Sequence, residues 1–262
     1  MMPALIWKSP RWWSLTLLLV FLAAWEWAVG LFAWSELVLP APSVVAATLW
    51  RGLENGYFWP HIMQTFKEVL GGLALGIALG FFFGLLLGES SFGRRVLMPY
   101  IIASQVVPKL ALAPLLTVWL GFGTLPVVVL TALVCFFPLL ESTMTGIAQT
   151  DPTHLMMFRM LGASRWRTLW CLKLPSGVPT ILSGLRIAAV LALVGAVVGE
   201  FIGGSTGLGA LIIAAQGAMD TPLMFAVLIL ITAMGLMLYL CAQHLPRWLL
   251  RPYLFTETGN RT

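Results

Sequence analysis

Charge is scarce in this sequence. Asp, Glu, Lys and Arg make up 10% of its 262 residues, well under the roughly 25% of an ordinary soluble domain. Hydrophobic residues make up 60%, and the mean hydropathy is +0.94. So little polar surface cannot cover a water-facing fold, and the chain reads as an all-α polytopic membrane protein. The net charge of +5 argues for no nucleic-acid partner; where the cations fall matters more than their sum. Cysteine is scarce too. Cys135, Cys171 and Cys241 lie in or beside apolar runs without metal-ligand spacing, which excludes a disulfide framework and leaves no expected metal site. A Gly-x-x-x-x-Gly-Lys phosphate loop is missing throughout, so no nucleotide chemistry and no cofactor are expected in this chain.

Long apolar runs are abundant. Six are long enough to cross a bilayer, at about 14–34, 66–88, 96–121, 126–145, 180–202 and 223–243. The first, which holds Glu26, is too long for a secretory leader and reads as an uncleaved span. A connection over 39–57 carries a short helix after Ser43. In the second run Gly72, Gly76, Gly80, Gly84 and Gly88 recur at every fourth position. They form a smooth stripe for close approach of another helix, from the same subunit or another. Pro99, Pro108 and Pro114 should bend or break the third run around Lys109, a geometry tolerated only against protein or a wet cavity. The stretch 203–222 is glycine-rich, and its apolar core 208–215 is too short to span, which predicts a re-entrant or interfacial helix.

Six spans put both termini on one side of the membrane. Lys8, Arg11, Arg94, Arg95, Arg159, Arg165, Arg167, Lys173, Arg247, Arg251 and Arg261 then fall together, with Arg51 and Lys67 opposite. The positive side is the cytoplasmic one, so the loop 146–177 and both termini are expected in the cytoplasm. Within that loop, 151–175 carries its own punctuation. Asp151 can cap a helix begun by Pro152, Gly162 suits a left-handed stop, Ser164 can cap a second short helix, and Pro175 is expected to end it. Leu155, Met156, Met157, Phe158, Met160 and Leu161 crowd the first helix with apolar surface that some partner or the lipid interface should cover.

Two patterns suggest other chemistry. Gly203-Gly204-Ser205-Thr206-Gly207 matches the Gly-x-Ser-x-Gly of hydrolase nucleophiles. It follows a membrane helix, however, and His61, His154 and His244 offer Ser205 no base, so an intramembrane serine hydrolase is a remote alternative. Lys109, Pro114, Trp119, Arg186 and Glu200 are candidates for a solute path, since ionisable groups inside spans mark pathways or pair with each other. Glu26 and Glu141 read as structural groups near the interface. An ion-coupled secondary transporter with Glu26 or Glu200 as its proton site is the second alternative.

Several stretches together resemble one family. Leu161, Gly162, Ala163 and Ser164, with Leu172, Leu174 and Pro175, resemble the cytoplasmic signature of permease subunits of binding-protein-dependent ATP-driven importers. Met156, Met157 and Phe158 stand where that family has Glu-Ala-Ala. The segments LPAPSVV (39–45), ALAPLLTVWLGFG (111–123), GLRIA (184–188) and VVGEFIGGSTGLGALI (197–212) are similar to its nitrate, sulfonate and taurine branch, which includes permeases for pyrimidine precursors. The resemblance implies the type I importer architecture in a bacterial inner membrane, with this chain paired with a second copy of itself. It implies two cytoplasmic ATPase subunits that hold ATP and Mg, and a periplasmic or lipid-anchored binding protein that delivers a sulfonate-, taurine- or nitrate-like anion or a small heterocycle. It also implies that Asp151, Pro152, Leu155, Met156, Met157, Phe158, Leu161, Gly162, Ala163 and Ser164 form the segment coupled to the ATPase, with apolar docking in place of the missing glutamate. The chain itself would not be an enzyme.

Overall fold

The computed structural model describes residues 10–249, all of whose regular elements are helical; Lys8, Arg251 and Arg261 lie outside them. The first helix, α1 (Pro10–Leu31), is mostly apolar and largely exposed, with Val29 buried and the Trp25 ring 5.6 Å from that of Phe225. It is tied to α2 (Pro42–Glu54) through Glu26, whose carboxylate accepts hydrogen bonds from Ser43 N at 3.0 Å and Ser43 Oγ at 2.6 Å. A carboxylate at a helix N-terminus satisfies free N–H groups and suits the helix dipole, so Glu26 acts as a cap supplied from a neighbouring helix.

Three long helices make the core: α3 (Trp59–Glu89), α6 (Thr124–Ala148) and α9 (Leu174–Gly203). The glycine stripe of α3 lies on α6 of the same chain. A Cβ added at Gly76 would sit 2.7 Å from Cys135 Cβ, at Gly80 2.6 Å from Phe136 O, at Gly84 2.6 Å from Thr143 Cβ and at Gly88 3.1 Å from Ile147 Cβ. At Gly72 it would strike Thr131. Alanines do the same work on α9, where Ala188, Ala192 and Ala196 are buried in one cluster with Val69, Val127 and Leu139. Small residues let backbones approach until dispersion contacts accumulate, which is the main attraction between helices in lipid.

The third apolar run folds as two helices with a break between them. α4 (Ser91–Val106) and α5 (Ala113–Leu120) are joined by a 3-10 turn, Lys109–Leu112, and bend by 78°. Pro108 stands at the break, where it has no N–H to donate, and Pro114 sits in the first turn of α5, where none is needed. By length and apolar composition five described helices can cross a membrane, or six if this bent pair counts as one.

Pro175 is not a stop. After α7 (Pro152–Met160) comes α8 (Arg165–Thr168), then a π turn over Leu169–Lys173 that runs straight into α9, with Pro175 in its first turn. A π turn already departs from the i to i−4 ladder, so the donor that proline lacks is absorbed there. The helix of the fifth apolar run therefore begins well before position 180. The bundle is completed by α10 (Leu208–Gly217), which buries Leu208, Leu211, Ile212 and Ala215, and by α11 (Thr221–Leu249).

Candidate functional site

The loop joining α6 to α9 holds α7 in a fixed shape. Asp151 Oδ1 accepts from Thr153 N at 2.7 Å, and Pro152 opens the helix. The Thr153 backbone N–H, then the Thr153 hydroxyl, hold the Asp151 carboxyl below the usual aspartate range. The cap is thus in place at neutral pH and lost only on acidification. At the other end Gly162 adopts φ +68, Ala163 N donates to Phe158 O at 3.0 Å and Gly162 N to Arg159 O at 3.0 Å. This crossed pair is the Schellman closure, and it satisfies the last carbonyls of the helix. Ser164 Oγ then accepts from Arg167 N at 3.3 Å and starts α8.

Among the described residues this helix is only partly covered. None of the α7 residues is buried; Leu155 and Phe158 are half-buried, and Met156, Met160 and Leu161 are 64%, 89% and 75% exposed. A basin of about 840 Å³ separates α7 from the start of α4 and is rimmed by Arg159, Arg165 and Lys173. Lys173 Nζ reaches Glu89 Oε1 at 2.6 Å and so fastens the loop to the end of α3. Because Gly162 holds the left-handed turn, Gly162→Ala is expected to cost about 1 kcal/mol. Limited trypsin cleavage after Arg159 should then speed up roughly fivefold as the turn opens more often.

The solute-path candidates are not gathered in one place. Lys109 Nζ donates to Gln105 Oε1 at 2.5 Å and stands 5.6 Å over the Phe137 ring, so its ammonium is turned onto α6. Pro114 and Trp119 are exposed on α5, Trp119 by 68%. Arg186 is half-buried on α9, with a buried Nε that has no partner among the described residues. Glu200 lies almost four turns further along α9 and is 1% exposed. Its Oε2 accepts from Gly209 N at 2.5 Å.

Glu200 is joined by a residue that sequence reasoning passed over. Glu68 on α3 is also 1% exposed, and its carboxyl faces that of Glu200. The available signal was the acid itself, standing next to Lys67 at the start of an apolar run, where an ionisable group marks a site by default. Close by, Ser205 is exposed, and His61 Nδ1 is engaged instead by the Gly207 backbone, 3.0 Å from its O and 3.2 Å from its N. The glycines of that motif serve the turn between α9 and α10.

Comparison with known proteins places this geometry. Residues 72–251 match the family model described as binding-protein-dependent transport system inner membrane component. The chain is 37% identical over 238 residues to the riboflavin transport system permease protein RibX of Chloroflexus aurantiacus, covering 91% of this chain and 88% of that one. It is 32% identical over 233 residues to the formylaminopyrimidine transport permease protein ThiX of Halalkalibacterium halodurans, covering 88% and 92%. In fold it is similar to a chain of the MetNI methionine ABC transporter solved in inward-facing conformations, with a TM-score of 0.63 at 16% identity over 71% of this chain and 93% of that one. Family, fold and apolar helices agree: this chain belongs to the binding-protein-dependent inner membrane components, the non-enzymatic multi-pass permease subunits through which ABC importers move small solutes.

Proposed function

We propose that α7 is the handle by which a separate ATPase works this permease. The carrying observation is a contrast within the chain: α7 is capped at both ends, yet Met156, Met157, Met160 and Leu161 are left exposed. A shaped apolar rod that its own fold does not bury suits a groove in a partner, and flexible Met side chains make good groove fillers. In this reading the loop and both termini face the cytoplasm, two copies of this chain enclose the path, and each seats its α7 in one of two ATPase subunits that hold ATP and Mg. A binding protein delivers solute to the opposite face. Closure of the ATPases draws the two α7 helices together and reorients the path, with Asp151, Pro152, Leu155 and Gly162 keeping the rod stiff and Met156, Met157, Phe158, Leu161, Ala163 and Ser164 against or beside the groove.

The solute of this reading is a small heterocycle of the kind for which the riboflavin and formylaminopyrimidine permeases are named. Lys109 is engaged by Gln105 and Phe137, which leaves Arg186 as the cation with an unpartnered Nε among the described residues. Trp119 and Arg186 are the side chains best able to meet solute. Neither the proton-coupled nor the hydrolase alternative gains support: Glu26 caps α2, Glu200 is held by the Gly209 N–H, and His61 is engaged by the Gly207 backbone rather than by Ser205.

Sidedness is the first test. With Cys171 and Cys241, the exposed cysteines, changed to Ser, Met160→Cys should react with a membrane-impermeant thiol reagent in inside-out vesicles and stay unlabelled in intact cells. Labelling in intact cells would reverse the topology and remove α7 from any ATPase.

A further inference from the structure

We propose that Glu68 and Glu200 form an acid pair that shares a single proton and pins the turn between α9 and α10 onto α3. The argument starts from unmet hydrogen bonds. Glu68 Oε1 accepts from Gln64 Nε2 at 2.7 Å, and Glu200 Oε2 accepts from Gly209 N at 2.5 Å. The remaining oxygens, Glu68 Oε2 and Glu200 Oε1, are buried and close no hydrogen bond of ordinary length among the described residues, with the Thr124 and Thr65 hydroxyls the other donors turned toward Glu68 and Glu200. A buried acceptor without a donor costs about 1–3 kcal/mol, and more if charged. Two buried carboxylates side by side would add repulsion to that cost. One proton removes both penalties, because a protonated carboxyl donates to its unprotonated neighbour and leaves a single negative charge on the pair.

An ion is not a substitute for the proton here. Among the described residues no third carboxylate, His or Cys joins the pair in a ligand cluster. The turn packs closely on Glu200: a Cβ at Gly209 would lie 2.9 Å from Glu200 Oε2, and one at Gly207 would strike the Glu200 carboxyl. These two glycines are what lets α10 settle on the acid.

The pair completes a clasp. Leu208 N donates to Thr65 Oγ1 at 2.8 Å, His61 Nδ1 meets Gly207, and Gln64 Nε2 also donates to Thr124 Oγ1 at 2.7 Å. Every member sits at the end of the bundle opposite α7, so the clasp fixes how α3, α9 and α10 meet where the path would open on that side. The titratable groups around it are few. On α3 there are His61, on the Gly207 backbone, and exposed Lys67. α5 and α10 carry no ionisable side chain, and on α6 Cys135 and Glu141 lie well down the helix. Glu68 and Glu200 are positioning residues, and their proton is held rather than transported. The inference stands on this packing and does not depend on what α7 contacts.

The test is pH-dependent infrared difference spectroscopy on the full chain in lipid nanodiscs, with thermal unfolding beside it. At neutral pH the wild type should show a protonated-carboxyl C=O band. Both Glu68→Gln and Glu200→Gln should lose it entirely, since either amide supplies the donor that the proton supplied. As the medium is made alkaline the wild type should lose the band and its unfolding midpoint should fall, because the clasp is intact only while the proton is held. The Gln variants should keep a midpoint that moves far less. Absence of the band in the wild type at neutral pH would overturn the proposal even if neither variant folds. So would a band that survives in either variant, or an equal midpoint fall in wild type and variants.

Discussion

Met160→Asp is expected to insert at wild-type levels, unfold at the wild-type temperature, and fail to support ATP-driven transport. Met160 is 89% exposed and touches nothing that the fold needs, so its loss inside the chain should change stability by about 0.5 kcal/mol or less. At the centre of an apolar interface the same change removes an anchor and buries a carboxylate. An anchor alone is commonly worth about 2 kcal/mol, or roughly 30-fold in affinity, and a desolvated charge costs more. Solute-stimulated ATP hydrolysis in the reconstituted complex should therefore drop at least 30-fold by the same measure. Phe158→Asp should give the same loss, but Phe158 is half-buried, so part of its effect would come from unseating α7. Met160 separates the two causes. Normal coupling in Met160→Asp would mean that the exposed face of α7 meets no ATPase.

Gly80→Leu should be strongly destabilising. A Cβ at Gly80 would come 2.6 Å from Phe136 O and 2.7 Å from Leu139 Cβ. The first of these is backbone, which no rotamer change can move aside. Overpacking by a methyl or two commonly costs about 1–3 kcal/mol, and a leucine here must force α3 and α6 apart along the stripe. Gly80→Ala should fall within that range, a loss of about 2–4 °C per kcal/mol in unfolding midpoint for a chain of this size. Gly30→Ala is the control, since nothing lies within 4 Å of a Cβ there. Tryptophan fluorescence during heating of the detergent-solubilised chains reads all three. A Gly80→Leu chain as stable as Gly30→Ala would mean that α3 and α6 do not pack through this face.

What could be read without coordinates was local. The caps of α7 are set by Asp151, Pro152 and Gly162 within a dozen residues, and their chemistry does not wait on the rest of the fold. The same holds for the glycine stripe, whose period follows from the helix, and for the break at Pro108. What could not be read was which distant element each feature meets. The stripe did not say that α6 of the same chain would fill it. Lys109 read as a candidate for the solute path, and the Phe137 ring over which it lies arrives from another helix. Glu68 and Glu200 are on different helices, and only their tertiary contact turns two separate acids into a pair. Pro175 misled because a π turn, which leaves little trace in local propensity, lets α8 run through it into α9.

The most direct measurement is site-specific photo-crosslinking in cells that co-express the ATPase subunit. A photoreactive side chain at position 160 should yield an adduct between this chain and the ATPase, and its amount should change when ATP hydrolysis is blocked. The same group at position 219, where Met219 is 70% exposed at the far end of the bundle, should yield none. An ATPase adduct from position 219, or none from position 160 while the complex is active, would contradict the account.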